Sequence, residues 1–214
     1  MFNLHTHRYT NSPLGVELVN EYPWAFEGKS PVYSIGIHPW YIDEKKWPEH
    51  LDIVAHHLTQ KGCWAIGECG LDKRIEVPFD LQCDVFKAHL LLAEQHQKPV
   101  VLHLVGAFQE LLSIKKQLKI SVPLIVHGFS KNAQLAQELA RHGLYLSFGK
   151  YLLRNPDLRE AFLAVPEDRI FLETDTLEES IAAVYAQAAH YRNQDVGELE
   201  AQIERNVAHV FGVK

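Results

Sequence analysis

Near the N-terminus the chain reads Phe2-Asn3-Leu4-His5-Thr6-His7, which places two imidazoles two residues apart. In an extended strand, side chains at positions i and i+2 point to the same face, so His5 and His7 can bind one cation together. A His-x-His pair is common by chance, and it indicates a metal site only together with further ligands. The sequence supplies such residues at the ends of other apolar runs.

Composition narrows the classes of protein to consider. With 214 residues, of which 47% are hydrophobic, the chain can bury a full core, and we predict a single domain over residues 1–214. It lacks a signal-peptide pattern and any run of roughly 18 apolar residues, which predicts a soluble, cytoplasmic protein without membrane contact. The three cysteines show no CxxC spacing, which argues against a disulfide framework and a thiolate zinc site. A net charge of -6 means that a polyanionic substrate would need local positive charge.

Short apolar runs alternate along the chain with longer helical patterns. The runs cover residues 2–7, 16–22, 32–38, 64–68, 100–103, 124–127, 144–148 and 170–175. Near-continuous hydrophobic strands that alternate with helices predict a parallel sheet covered on both faces, and eight such units make a (β/α)8 TIM barrel. Too few residues flank the run 16–22 for a helix, so we predict that the first outer helix is missing. A seven-stranded, incompletely closed barrel is the alternative.

Three sequence patterns between these runs predict where helices lie, begin or end. An amphipathic stripe predicts one helix and comprises Phe79, Cys83, Phe86, Leu90 and Ala93. Asn155-Pro156 predicts an N-cap followed by proline at the first helical position. Gly212 is placed to end a terminal helix.

In such a barrel the active site lies at the C-terminal ends of the strands. Residues of ligand type fall at these ends, namely His5, His7, Glu68, His103, His127 and Asp175. A single histidine at a strand end is often a core residue, so the prediction depends on the coincidence of all six. Four imidazoles and two carboxylates can bind two divalent ions, with Glu68 able to bridge them and Asp175 placed to orient water. Zinc, manganese, magnesium, nickel or iron is the expected metal.

Seven motifs then run in order along nearly the whole chain. They are His5-Thr6-His7, Gly36-Ile37-His38-Pro39, Gly67-Glu68-Cys69-Gly70-Leu71-Asp72, Pro99-Val100-Val101-Leu102-His103, His127-Gly128-Phe129-Ser130, Ser147-Phe148-Gly149 and Glu173-Thr174-Asp175. With these motifs the chain resembles the TatD family of metal-dependent deoxyribonucleases, within the amidohydrolase-like barrels.

The resemblance implies a ligand set, a reaction and a substrate. His5, His7, Glu68 and Asp175 would hold one metal, and Glu68, His103 and His127 the second. The reaction would be hydrolysis of a phosphodiester by a metal-activated water, with Asp175 and Glu68 as the catalytic carboxylates and Asp175 as the proton acceptor. The substrate would be DNA ends or single-stranded DNA, and no obligate protein partner is evident.

The chain departs from the family pattern at two positions that would contact the substrate, while the predicted metal ligands are all present. Val105 stands where many members carry an arginine, and Lys131 stands where a glycine is frequent. Together with the short first segment, they leave open a two-metal hydrolase of a small-molecule ester, amide or phosphate. A barrel that only binds is disfavoured by the complete ligand set.

Residues after the strand ends are candidates for substrate binding. The basic ones are Arg8, Lys73, Arg74, Lys131, Lys150 and Arg154, of which Arg8 and Lys131 follow ligand residues most closely. The aromatic ones, which could stack on bases, are Trp40, Tyr41, Phe129 and Tyr151. His38 either contacts the substrate or metal shell or makes a structural hydrogen bond in its turn. Asp72 is expected to fix a loop rather than to ligate.

Overall fold

The computed structural model describes residues 1–213, in which eight strands alternate with helices. The strands are β1 (Phe2–Thr6), β2 (Val16–Glu21), β3 (Tyr33–Ile35), β4 (Cys63–Asp72), β5 (Val100–Val105), β6 (Leu124–Val126), β7 (Tyr145–Phe148) and β8 (Ile170–Leu172). The helices are α1 (Trp47–Leu58), α2 (Phe79–His96), α3 (Phe108–Leu118), α4 (Ala133–Arg141), α5 (Lys150–Arg154), α6 (Leu158–Ala164), α7 (Ile181–Arg192) and α8 (Val196–Phe211), with 3₁₀ turns at Pro39–Tyr41 and Glu167–Arg169. Searched over the same residues, no helix is both long and apolar enough to cross a membrane.

The eight strands follow one another in chain order, β1 to β8, in one sheet. The predicted (β/α)8 fold is confirmed, and the seven-stranded alternative is wrong. The first outer helix is missing between β1 and β2, as predicted, and the described chain also has no helix between β2 and β3. There the Glu21 carboxylate accepts hydrogen bonds from the backbone N–H groups of Glu27 (3.0 Å) and Gly28 (3.2 Å) and closes a short loop.

The chain forms two compact units, the first of which comprises residues 1–19 and 125–214. In this unit β1 is parallel to the start of β2, and β6, β7 and β8 pair in parallel. The segment after β8 meets β1 through a bridge between Thr6 and Asp175. The side chain of Asp195 caps the start of α8, and Gly212 ends that helix with a φ of 65°, as its position in the sequence predicted.

The second unit comprises residues 20–124, in which β3, β4 and β5 pair in parallel. The helix predicted from the apolar stripe is α2, whose Phe86, Leu90 and Ala93 are buried. Gly70 in β4 has a φ of 149°, and a Cβ atom there would overlap the carbonyl oxygen of His103 on β5. Only glycine allows this close approach. That the two units make a single domain stays a prediction.

The predicted helix start at Asn155-Pro156 is wrong, because α6 begins at Leu158. The Asn155 side chain accepts a hydrogen bond from the backbone N–H of Asp157 at 3.1 Å, so it stabilises a turn that precedes the helix.

Candidate metal centres

The first candidate metal centre lies in the first unit and is called the His5 cluster. It comprises His5, His7 and Asp175, whose ligand atoms lie within 4.8 Å of one another. Strand β1 places the two imidazoles with ring centroids 5.0 Å apart. Asp175 Oδ1 lies 3.4 Å from His7 Nε2 and 3.9 Å from His5 Nε2. One carboxylate therefore faces both members of the His-x-His pair.

The backbone of Asp175 aims this carboxylate. Its φ is 53°, in the left-handed region that Asp tolerates better than most residues, and its N–H donates to the His5 carbonyl at 2.8 Å. Burial raises the pKa of Asp175, but the hydrogen bond from His7 and the charges of His5 and His127 outweigh burial and hold the pKa below its usual value. The side chain is therefore an anion at neutral pH, the form that binds a cation or accepts a proton.

His127 follows β6 and packs against His5, with ring centroids 4.4 Å apart. Its Nδ1 lies 3.3 Å from Oε1 of the buried Glu173, which also accepts the backbone N–H of Gly128 at 2.8 Å. A carboxylate on Nδ1 favours the tautomer with the proton on Nδ1, in which Nε2 carries the lone pair that can ligate a metal. Glu173 was not predicted as a functional residue. Its signal in the sequence is the motif Glu173-Thr174-Asp175.

A cavity of about 410 Å³ lies beside the His5 cluster. Its walls include His7, Asp175 and Thr10, and also Arg8, the exposed side chain predicted to bind substrate. Lys131, the second basic residue predicted for this role, lines a different depression with Asn155 and Asp157. The structure thus brings Arg8, but not Lys131, to this cavity.

The second candidate metal centre lies in the second unit and is called the Glu68 cluster. It comprises His38, Glu68 and His103, whose ligand atoms also lie within 4.8 Å of one another. Oε1 of the buried Glu68 lies 2.9 Å from His103 Nδ1 and 3.2 Å from His38 Nε2. The Nδ1 atom of His38 accepts the backbone N–H of Trp40 at 3.0 Å and caps the turn Pro39–Tyr41. One ring nitrogen of His38 therefore makes the structural hydrogen bond and the other faces the cluster, while its contact with substrate or metal stays a prediction.

Two further side chains hold the Glu68 cluster in place. Asp72 Oδ2 lies 3.2 Å from His103 Nε2 and accepts the indole N–H of Trp40 at 2.8 Å. Burial raises the pKa of Asp72, but the hydrogen bonds from Trp40, the Arg74 backbone and His103 outweigh it and lower the pKa. The Asn20 side chain accepts the backbone N–H of Glu68 at 2.7 Å, an interaction that no sequence motif indicated.

Three other residues predicted to bind substrate make contacts within the protein instead. Lys73 forms an ion pair with Glu110 at 2.5 Å, and Arg154 forms one with Glu179 at 3.2 Å. Phe129 is 2% exposed and packs against Phe148, so the expectation that it stacks on bases is wrong. Alternation of apolar residues could not show on which side of the sheet this ring would lie.

The donor sets of both clusters suit a divalent transition metal. Each offers two imidazole nitrogens and a carboxylate, the combination that zinc, manganese, nickel and iron accept. Magnesium prefers oxygen ligands and fits less well. The further carboxylates on His103 and His127 are the partners that fix metal-binding imidazoles in proteins.

Residues 8–212 match the family model described as TatD related DNase. A 3'-5' ssDNA/RNA exonuclease TatD from Citrobacter koseri is 28% identical over 204 residues, which cover 84% of this chain and 77% of the relative. An uncharacterized metal-dependent hydrolase, YabD from Bacillus subtilis, is 30% identical over 75% of this chain and 62% of its own length. The crystal structure of YJJV, a TatD homolog from Escherichia coli K12, superposes with a TM-score of 0.82 at 20% identity and covers 100% of this chain and 98% of that one. This last similarity supports the barrel fold.

Proposed function

Because the chain belongs to the TatD family of metal-dependent hydrolases, we propose that it is a nuclease that hydrolyses phosphodiester bonds at the ends of single-stranded DNA. The observation that carries this proposal is the position of the His5 cluster beside a cavity lined by Arg8. The cluster supplies metal ligands and a carboxylate, and Arg8 supplies a cation for a substrate phosphate.

We propose that each cluster holds one divalent ion. His5, His7 and Asp175 would hold one, and His38, Glu68 and His103 the other. With His127, which Glu173 orients, these residues include all six metal ligands that the family resemblance implies. The bound metals would lower the pKa of a water molecule and neutralise charge on the phosphoryl oxygens.

The chain's own residues account for the remaining steps. Asp175 would accept the proton of the attacking water at Oδ1, the oxygen that faces the two imidazoles. Arg8 would bind a phosphate next to the scissile bond, and Lys131 a phosphate further along the strand. His38, which is fixed by its turn, would also lie against a substrate bound at the Glu68 cluster.

The replacement Asp175→Asn tests this proposal. Asparagine also tolerates the left-handed backbone at this position, so the variant should fold, but its amide ligates weakly and accepts no proton. Hydrolysis of a single-stranded oligonucleotide with added manganese should fall by about 10²-fold or more. The matched control is Asp84→Asn, at an exposed position on α2, which should keep wild-type activity. Comparable turnover in Asp175→Asn and wild type would contradict the assignment of the base.

One observation favours a second candidate, a hydrolase of small phosphates or esters. The cavity of about 410 Å³ is within the size range of small-molecule sites. Assays with single-stranded DNA, RNA, an aryl phosphate and an amide, each with divalent metal, separate the two. Turnover of a small substrate without cleavage of either nucleic acid would replace the nuclease proposal.

A further inference from the structure

Four aromatic rings of the second unit, three of them exposed, lie close to one another or to His38. We call Tyr22, Trp24, Trp40 and Tyr41 the aromatic platform. Trp24 stacks on Tyr22 with ring centroids 5.1 Å apart, and Tyr41 lies 5.6 Å from Tyr22 and 5.7 Å from Trp24. Trp24, Tyr41 and Trp40 are 39%, 50% and 55% exposed. Large exposed aromatic side chains in one patch mark a binding surface more often than isolated ones do.

Hydrogen bonds hold the loop of Trp24 and the indole of Trp40 in place. The loop that carries Trp24 is closed by Glu21, a buried carboxylate that accepts two backbone N–H groups beyond the tryptophan. The indole N–H of Trp40 donates to Asp72 at 2.8 Å. A surface already fixed before binding loses little conformational entropy when a ligand covers it.

The platform leads directly to the Glu68 cluster. The His38 ring centroid lies 5.5 Å from that of Tyr41 and 5.1 Å from that of Trp40, and Trp40 lies 5.8 Å from His103. A phosphodiester bound at this cluster would carry its neighbouring bases onto these rings. Aromatic side chains bind unpaired bases by stacking, without regard to sequence, whereas bases in a duplex have their faces covered.

We propose that the aromatic platform binds the unpaired bases of a single-stranded nucleic acid next to the Glu68 cluster and so selects single strands over duplexes. This inference rests on the proposed nuclease function, and it assigns the recognition of bases to Trp24, Tyr22, Tyr41 and Trp40. Nucleic acid suits the surface better than an apolar protein partner, because the phenol and indole edges keep polar groups among the rings and because the metal ligands adjoin them.

The test measures binding rather than turnover. Manganese-loaded wild type, Trp24→Leu and Tyr41→Leu are titrated into a labelled phosphorothioate oligonucleotide, which resists cleavage, and into an abasic strand of the same length. Each variant should bind the base-containing strand about tenfold more weakly, while binding of the abasic strand stays as in wild type. Trp24→Phe, which keeps a ring, should restore most of the affinity. Leu91→Ala, at an exposed position on α2, is the control outside the platform.

Two outcomes would overturn the proposal that the aromatic platform binds unpaired bases. One is wild-type affinity of both leucine variants for the base-containing strand. The other is an equal loss of affinity for the abasic strand in variants whose thermal unfolding matches wild type, since this would mean that the rings support phosphate binding. Either result leaves the proposed nuclease function in place. A different result would contradict the nuclease proposal, namely that metal-loaded wild type cleaves no oligonucleotide at all.

Discussion

His89 lies inside the second unit, and its titration should make the protein less stable in mild acid. Its Nδ1 donates to the Val85 carbonyl at 2.8 Å, and its Nε2 accepts the backbone N–H of Ile37 at 3.1 Å. The ring is therefore neutral in the folded state. Burial, partly offset by the hydrogen bond to Val85, lowers the pKa of His89 to about 4 from 6.5.

The sign follows from proton binding. Between pH 6.5 and pH 4 the unfolded chain binds a proton at this ring and the folded chain does not, so the free energy of unfolding falls as the pH falls. Between pH 7.5 and pH 5 the loss from this one group is about 2 kcal/mol, at 1.36 kcal/mol for each pH unit below the unfolded pKa of 6.5. Below pH 4 both states are protonated and this contribution changes no further.

Urea unfolding of wild type and His89→Gln across this range isolates the effect. Glutamine does not titrate and can still accept the Ile37 N–H, and every other group cancels in the difference between the two proteins. The stability advantage of wild type over the variant should shrink by about 2 kcal/mol from pH 7.5 to pH 5. If the difference in stability between wild type and His89→Gln does not change with pH, His89 is not a neutral buried imidazole. Its hydrogen bond to Ile37, the residue that precedes His38, would then also be refuted.

Two other predictions concern the first unit. Arg8→Ala should weaken the binding of single-stranded DNA. The slope of log affinity against log salt concentration should become shallower by about 0.7 for each phosphate that Arg8 neutralises in wild type. Lys131→Ala should have the same effect if Lys131 binds a phosphate from the depression that it lines. Unchanged salt slopes in both variants would mean that these side chains are simply solvated. Glu173→Ala should lower the free energy of unfolding by about 1–3 kcal/mol, because the partly buried N–H of Gly128 is left without its acceptor, and Glu173→Gln should restore most of it. Equal denaturation midpoints for Glu173→Ala and wild type would contradict this account of Glu173.

The strands were predictable from the sequence because burial on both faces of a parallel sheet leaves long apolar runs. The candidate ligands were chosen by the same rule, which is only approximate, since Glu68 lies inside β4 rather than at its end. His38 shows where this reasoning stops. A residue type and a turn allow either a cap or a ligand, and only the structure shows that one nitrogen caps the turn while the other faces Glu68.

Residues that act through others were harder to predict. Asn20 supports Glu68 and Glu173 supports His127, but a polar residue near a strand end gives no sign of which buried N–H it will meet. Phe129 follows a ligand residue just as Trp40 follows His38, yet Phe129 is buried against Phe148 and Trp40 is exposed. Long-range packing decides between such cases, and it is not encoded in local spacing.

Metal stoichiometry tests the central claim most directly. Calorimetric titration of manganese into chelator-treated protein should show two divalent ions bound by each wild-type chain. His7→Ala should lose the ion of the His5 cluster, and His103→Ala should lose the ion of the Glu68 cluster, so that each variant retains one. Wild type that binds no divalent ion, or variants that both keep the wild-type stoichiometry, would contradict the assignment of these clusters as the metal centres.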